Sequence, residues 1–211
     1  MEDLQVEDFN DPIEHKAEQT ADGIKTPENQ ENDEEQTSIF KEIMSWVIPF
    51  AIALVAALLI KNFLIINADV PTGSMENTIL PGDRFIGNRL AYVFGEPERG
   101  DIVVFRYPDD ESEIYVKRVI GVPNDTVLIK DGAVYVNGEL FEEAVDTAAI
   151  LDPELAADEI TLGDDEYFVL GDNRNNSEDS RYANIGNVKK EYIIGKAWFI
   201  VSPFQDFGFL K

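Results

Sequence analysis

Three short segments carry residue types suited to acyl transfer: Pro71-Thr72-Gly73-Ser74-Met75, Tyr115-Val116-Lys117-Arg118-Val119, and the polar run Gly171-Asp172-Asn173-Arg174-Asn175-Asn176-Ser177-Glu178-Asp179-Ser180-Arg181. Taken singly, each has a plain reading as a loop, a strand lysine pointing to water and a solvated turn. Together they supply a nucleophile and a base. A serine hydroxyl attacks poorly until a neighbouring group accepts its proton. The chain has no cysteine and a single histidine, His15, in a polar N-terminal stretch. A Ser-His-Asp triad, a thiol nucleophile and a histidine or cysteine metal site are therefore excluded, and a carboxylate or a neutral lysine is left as base. Alternate side chains of a strand share a face, so Lys117 is expected beside Tyr115 and Val119, where a charged ammonium is penalised and its pKa falls. Gly73 permits close backbone approach next to Ser74, and the Ser74 N–H and the Thr72 hydroxyl are candidate donors to an oxyanion.

These segments need a rigid frame. From residue 67 onward, short β-branched and aromatic runs alternate with Gly, Pro, Asn and Asp: 101–107, 113–120, 126–130, 133–137, 166–170 and 193–201. Such runs read as strands. Asp131-Gly132 between two of them is a hairpin signal, since a tight turn needs positive φ. The expected fold is mostly β, an antiparallel domain with Greek-key or barrel-like sheets over residues 67–211. Residues 142–165, rich in Ala, Glu and Asp, read as a variable surface insertion with one short helical turn.

The N-terminal part is different in kind. Residues 1–38 hold thirteen acidic residues against Lys16 and Lys25, and lack the apolar content to offset ordering, so a disordered acidic tail is expected. Residues 39–66 read as a single transmembrane anchor: Ile43 to Ile60 is uncharged and almost wholly apolar, close to the roughly 20 residues that cross a bilayer. A cleaved secretory signal would begin with a basic stretch instead. Lys41 and Lys61 nearly balance across the span, so charge does not set its orientation. The formal net charge of −25, without any Lys/Arg cluster, excludes the usual electrostatics of nucleic-acid binding.

The three segments in this order, with Arg99-Gly100-Asp101-Ile102-Val103-Val104-Phe105 and Lys117-Arg118-Val119-Ile120-Gly121-Val122-Pro123, resemble the sequence boxes of bacterial type I signal peptidases, also called leader peptidases. The similarity runs from about residue 43 to the C-terminus, outside the tail and residues 142–165. The resemblance implies a membrane-bound serine endopeptidase that removes signal peptides of secreted preproteins after small residues, at Ala-x-Ala sites. Ser74 matches the nucleophile, Lys117 the general base, Thr72 the oxyanion-hole hydroxyl, and Ser177 the hydroxyl that orients the lysine. Asp179 and Arg181 match a supporting pair, and Asp172 and Arg118 a second. It further implies a single-pass protein of the cytoplasmic membrane with its N-terminus in the cytoplasm and the catalytic domain outside, a monomer in contact with membrane lipid, using neither cofactor nor metal. Two positions depart from the family pattern: Asn77 stands where many relatives have proline, and Asn124 where many have glycine. The rival readings are a membrane-anchored β domain that only binds, with Ser74 and Lys117 far apart, and a Ser-Lys self-cleaving repressor-like peptidase.

Overall fold

The computed structural model describes residues 27–61, 65–142 and 145–210. Contacts divide the chain into two units, Met1–Ile52 and Ala53–Lys211.

A 33-residue helix, α1 (Pro27–Leu59), dominates the N-terminal part. Its segment Phe40–Leu59 has a mean hydropathy of 2.1 and none of it is buried. Trp46, Phe50 and Ile52 all face outward, as expected of a helix whose solvent is hydrocarbon. The helix begins earlier than residue 39: residues 27–38, read from composition as disordered tail, are helical. Composition judges whether a segment can bury a core of its own. Extending an existing helix is a lesser demand, because each added residue gains one hydrogen bond without a new nucleus, and Pro27 is suited to the first helical turn. Residues 1–26 lie outside the described residues. The other end of the anchor also differs from expectation, since Ile65 and Ile66 open a strand instead of closing the helix.

The second unit is antiparallel throughout. Its strands are β1 (Ile65–Asp69), β2 (Arg84–Asn88), β3 (Ile102–Tyr107), β4 (Asp110–Gly121), β5 (Thr126–Lys130), β6 (Ala133–Val136), β7 (Glu139–Leu140), β8 (Ile160–Thr161), β9 (Glu166–Leu170), β10 (Val188–Lys189), β11 (Ile193–Ser202) and β12 (Gly208–Phe209). The larger sheet runs β1-β2-β11-β3-β4-β9-β10 with β12 on β11, and the smaller runs β7-β6-β5-β8. The β5–β6 hairpin turns at Asp131 and Gly132, with φ of 52° and 78°, the two positive values a tight twisted turn requires.

β3 shows why the larger sheet is rigid. Ile102 and Val104 pack in one apolar cluster with Ile66, Met75, Ile79 and Phe85. Val103 and Phe105 pack in another with Val119, Tyr167 and Val169. Both faces are covered, so the strand is a continuous apolar run and not an alternating one. A third cluster, with Ile120, Val127, Ile129 and Phe168, also takes in Ile150, Ala156 and Leu162. Residues 142–165 therefore do not form a purely surface insertion. They contribute the 3₁₀ turn Glu154–Ala157 and strand β8, and three small or medium apolar side chains spaced six residues apart seal the smaller sheet. Their spacing fits neither helix nor strand, which hid them among acidic neighbours.

Candidate active site

β4 and the turn after β1 bring the key side chains together. Met75 and Ile79 are buried at 1% and 0% exposure, pinning the turn from Gly73 to Ile79 to the core, with backbone bonds Glu76 N–H to Gly73 O and Ile79 N–H to Met75 O. Ser74 stands on this turn. Lys117 pairs with Val103 of β3 and is 4% exposed. Its Nζ lies 2.9 Å from Ser74 Oγ and 3.1 Å from the Val116 carbonyl oxygen. A neutral amine has one lone pair to accept the serine proton and N–H groups to donate to that carbonyl.

Burial pushes the Lys117 pKa down to about 8, against the opposing pull of the Asp179, Glu178 and Asp172 carboxylates. Those carboxylates would hold the amine charged if left alone. Two are instead neutralised by arginines. Asp172 binds Arg118 through two bonds of 2.8 Å, and Asp179 binds Arg181 through bonds of 2.8 and 3.0 Å. All four side chains are buried, so the paired charges act in a medium where an unpaired one is very costly. Tyr115, on the same face of β4, stacks on Tyr107 at 5.1 Å and brings its ring to 5.4 Å from Lys117 Nζ.

The two pairs also shape the loop 171–181. Arg181 donates to the Arg174 and Ser177 carbonyls at 2.5 and 3.3 Å, Asp179 accepts from Gly171 N–H at 3.1 Å, and Asp172 accepts from the Thr78 hydroxyl at 2.5 Å. The loop is thereby tied to β4 on one side and to the turn carrying Ser74 on the other. Gly171 is required by contact: a Cβ there would overlap Ser177 and the Ser74 carbonyl oxygen.

Of the residues expected from sequence, Ser74, Lys117, Asp179, Arg181, Asp172 and Arg118 converge. Ser177 lies in the same cluster, but its Oγ is buried without a hydrogen-bond partner among the described residues and does not bond Lys117. Thr72 is exposed, at the rim of a cleft of about 780 Å³ that also holds Asn67, Val70, Ser74, Tyr115 and Val116. Asn77 and Asn124 adopt φ of 82° and 69°. Asparagine accepts this left-handed region, so Asn124 serves the turn that glycine would, whereas the ring of proline could not match Asn77. Sequence reasoning gave no role to Asn173, Glu76 or Thr78, which clamp the turn carrying Ser74. Asn173 sat in a run already singled out, but nothing in its spacing marks which of several polar residues turns back to a segment about a hundred positions away.

A serine held against a desolvated amine, beside an open cleft and supported by buried ion pairs, is the arrangement of a hydrolase working through an acyl-enzyme. Comparison with known proteins narrows the class. Residues 43–202 match the family described as signal peptidase, peptidase S26, and the chain belongs to that family. It is 37% identical over 182 residues to a signal peptidase I of Bacillus amyloliquefaciens, covering 83% of this chain and 96% of the relative. It is 37% identical over 163 residues to a probable signal peptidase I-2 of Synechocystis sp., covering 75% and 72%. The crystal structure of a signal peptidase I from Enterococcus faecalis V583 is 32% identical, covering 48% of this chain and 97% of that one, with a TM-score of 0.39.

Proposed function

We propose that Ser74 and Lys117 are the nucleophile and general base of a membrane serine endopeptidase that removes signal peptides. Family membership carries the activity. The 2.9 Å contact between Lys117 Nζ and Ser74 Oγ carries the assignment of roles. It also disfavours the binding-only reading, which needs the two residues apart. The family match and the apolar helix disfavour the repressor-like reading.

Deprotonated Lys117 takes the Ser74 proton as Oγ attacks the scissile carbonyl. The tetrahedral intermediate collapses to an acyl-Ser74, Lys117 passes the proton to the departing amine, and the mature protein leaves. Lys117 then activates water, which releases the signal peptide and restores Ser74. The Ser74 N–H and the Thr72 hydroxyl stabilise the oxyanion. Ser177 helps orient the lysine, and the Asp179–Arg181 and Asp172–Arg118 pairs hold the surroundings.

The cleft suits an extended substrate. Among the described residues β1 pairs with β2 alone, and β4 gains β9 as second neighbour only from Arg118 onward, so one edge of Asn67–Asp69 and one of Glu113–Tyr115 line the cleft and are open to a further strand. Side chains of such a strand alternate, so the first and third residues before the cut would face the same wall, consistent with an Ala-x-Ala preference.

The chain is membrane-anchored through one apolar helix. We place its N-terminus, residues 1–38, in the cytoplasm, the span within residues 39–66, and the peptidase domain, residues 67–211, outside, with the protein acting as a monomer. Exposed Trp198, Phe204, Phe207 and Phe209 fit contact with the lipid interface. A preprotein with an Ala-x-Ala site, incubated with wild type and with Ser74→Ala in detergent micelles, tests the activity: wild type should release a mature protein whose new N-terminus follows the second alanine, and Ser74→Ala should release none. An external protease that leaves residues 67–211 intact in whole cells with a permeable wall would overturn the topology.

A further inference from the structure

Asn173 reaches back from the loop 171–181 to the turn that carries Ser74. The Asn173 amide nitrogen donates to the Gly73 carbonyl at 2.9 Å and to the Glu76 carboxylate at 3.0 Å, while the Asn173 backbone N–H donates to the Ser74 carbonyl at 3.1 Å. Gly73 C=O and Ser74 N–H belong to one planar trans peptide, so the two groups point in opposite directions. Whatever fixes the carbonyl also aims the N–H. The Ser74 N–H itself has no acceptor among the described residues, which leaves it free to donate to an oxyanion.

Glu76 decides which way the Asn173 amide faces. An ionised carboxylate only accepts, and so does a carbonyl, so rotating the amide by half a turn would set its oxygen against two other acceptors. The return of the Glu76 side chain to this spot needs space over residue 73: a Cβ there would stand 2.7 Å from Glu76 Cδ. Glycine at 73 thus makes room for the clasp.

We infer that Asn173, locked by Glu76, is a positioning residue that holds the Gly73–Ser74 peptide with its N–H directed at the developing oxyanion. This rests on Ser74 being the nucleophile of a working peptidase. Asn173 touches neither substrate nor Lys117; it acts through the peptide it holds.

The test is steady-state cleavage of a preprotein by the full-length protein in detergent micelles, for wild type, Asn173→Ala, the near-isosteric Asn173→Asp, Glu76→Ala and the double variant Asn173→Ala/Glu76→Ala, each with a thermal melt. Loss of a preorganised oxyanion donor costs about 100- to 1,000-fold in kcat, and misdirecting one is expected to cost about 10- to 100-fold, with KM changed by less than about twofold. Asn173→Asp, which replaces the donor by a third acceptor, should lose at least as much as Asn173→Ala while melting near wild type. Glu76→Ala should lose less, and the double variant should match Asn173→Ala, because Glu76 acts through Asn173. The midpoint of the pH profile should stay where wild type has it, since the base is untouched. A folded Asn173→Asp with wild-type kcat, a loss confined to KM, or independent multiplying effects of the two sites would overturn the inference while leaving the peptidase reading intact. A wild type that cleaves no preprotein would overturn both.

Discussion

Burial holds the Lys117 amine at a pKa of about 8, below the ordinary value of 10.5 that the unfolded chain restores. Below pH 8 both states carry the proton and the folded state bears the full cost of an enclosed charge. Between the two values only the unfolded chain is protonated, so stability rises with pH across that window. Lys117→Met, which fills similar space without charge, should therefore be inactive yet more stable than wild type at pH 7, by about 1 to 3 kcal/mol. The gain should shrink as pH rises from 8 towards 10.5. Melting temperatures of both proteins across pH 6–10 check this, and a Lys117→Met protein less stable than wild type at pH 7 would contradict it.

At the scale of elements, the loop 171–181 is the part that turns two distant segments into a site. Asp179→Asn leaves Arg181 buried at 1% exposure without its counter-ion, an expected cost of about 3–5 kcal/mol, or roughly 10 °C in Tm. It also removes a carboxylate that raises the Lys117 pKa, so any remaining activity should show its acid limb at lower pH. Gly171→Ala should be worse for activity than its size suggests, because the new methyl group meets both Ser177 and the Ser74 carbonyl; we expect cleavage to fall by at least about tenfold, as misplacement by an ångström can cost more than that. Strands such as 101–107 and 126–130 were legible because β-branched side chains fill both faces or alternate cleanly, and Asp131-Gly132 because its turn needs positive φ at both residues. β1 was hidden by its own composition: Ile65 and Ile66 continue the apolar run of the helix, and only the pairing with β2 and the packing of Ile66 against the core separate strand from span. β2 escaped because Gly87 lowers its strand signal, although the glycine is what leaves room there: a Cβ would stand 3.2 Å from Ile66 Cβ and 3.1 Å from the Lys196 carbonyl oxygen. That Ser74 and Lys117 lie together was expected from their segments and the family resemblance, since chemistry alone left carboxylates as rival bases, and the 2.9 Å contact brings the two side chains together. The Asn173–Glu76 clasp was not, because a hydrogen bond between segments so far apart in sequence leaves no local pattern.

Across the whole molecule, the peptidase reading and the anchor are separable. The apolar segment Phe40–Leu59 has no buried share, and the three core clusters begin at Ile66. A chain starting near residue 62 should fold, with a melting temperature within about 4 °C of the full-length protein, the shift expected for a change of about 1 kcal/mol. It should still cleave preprotein in detergent while losing rate on preprotein held in vesicles, where the anchor keeps enzyme and substrate in one plane. Circular dichroism melts and cleavage in both media check this. Equal rates for the two forms on vesicle-bound preprotein would remove the anchor from the functional account.

The pH dependence of kcat/KM bears most directly on the Ser74–Lys117 assignment, because it reports the essential base of the free enzyme. The buried amine predicts a rate that rises through a midpoint near pH 8, with Lys117→Ala inactive at every pH. A midpoint near 4 or 5, where a carboxylate titrates, or a Lys117→Ala enzyme that follows the wild-type profile, would show that another group takes the serine proton.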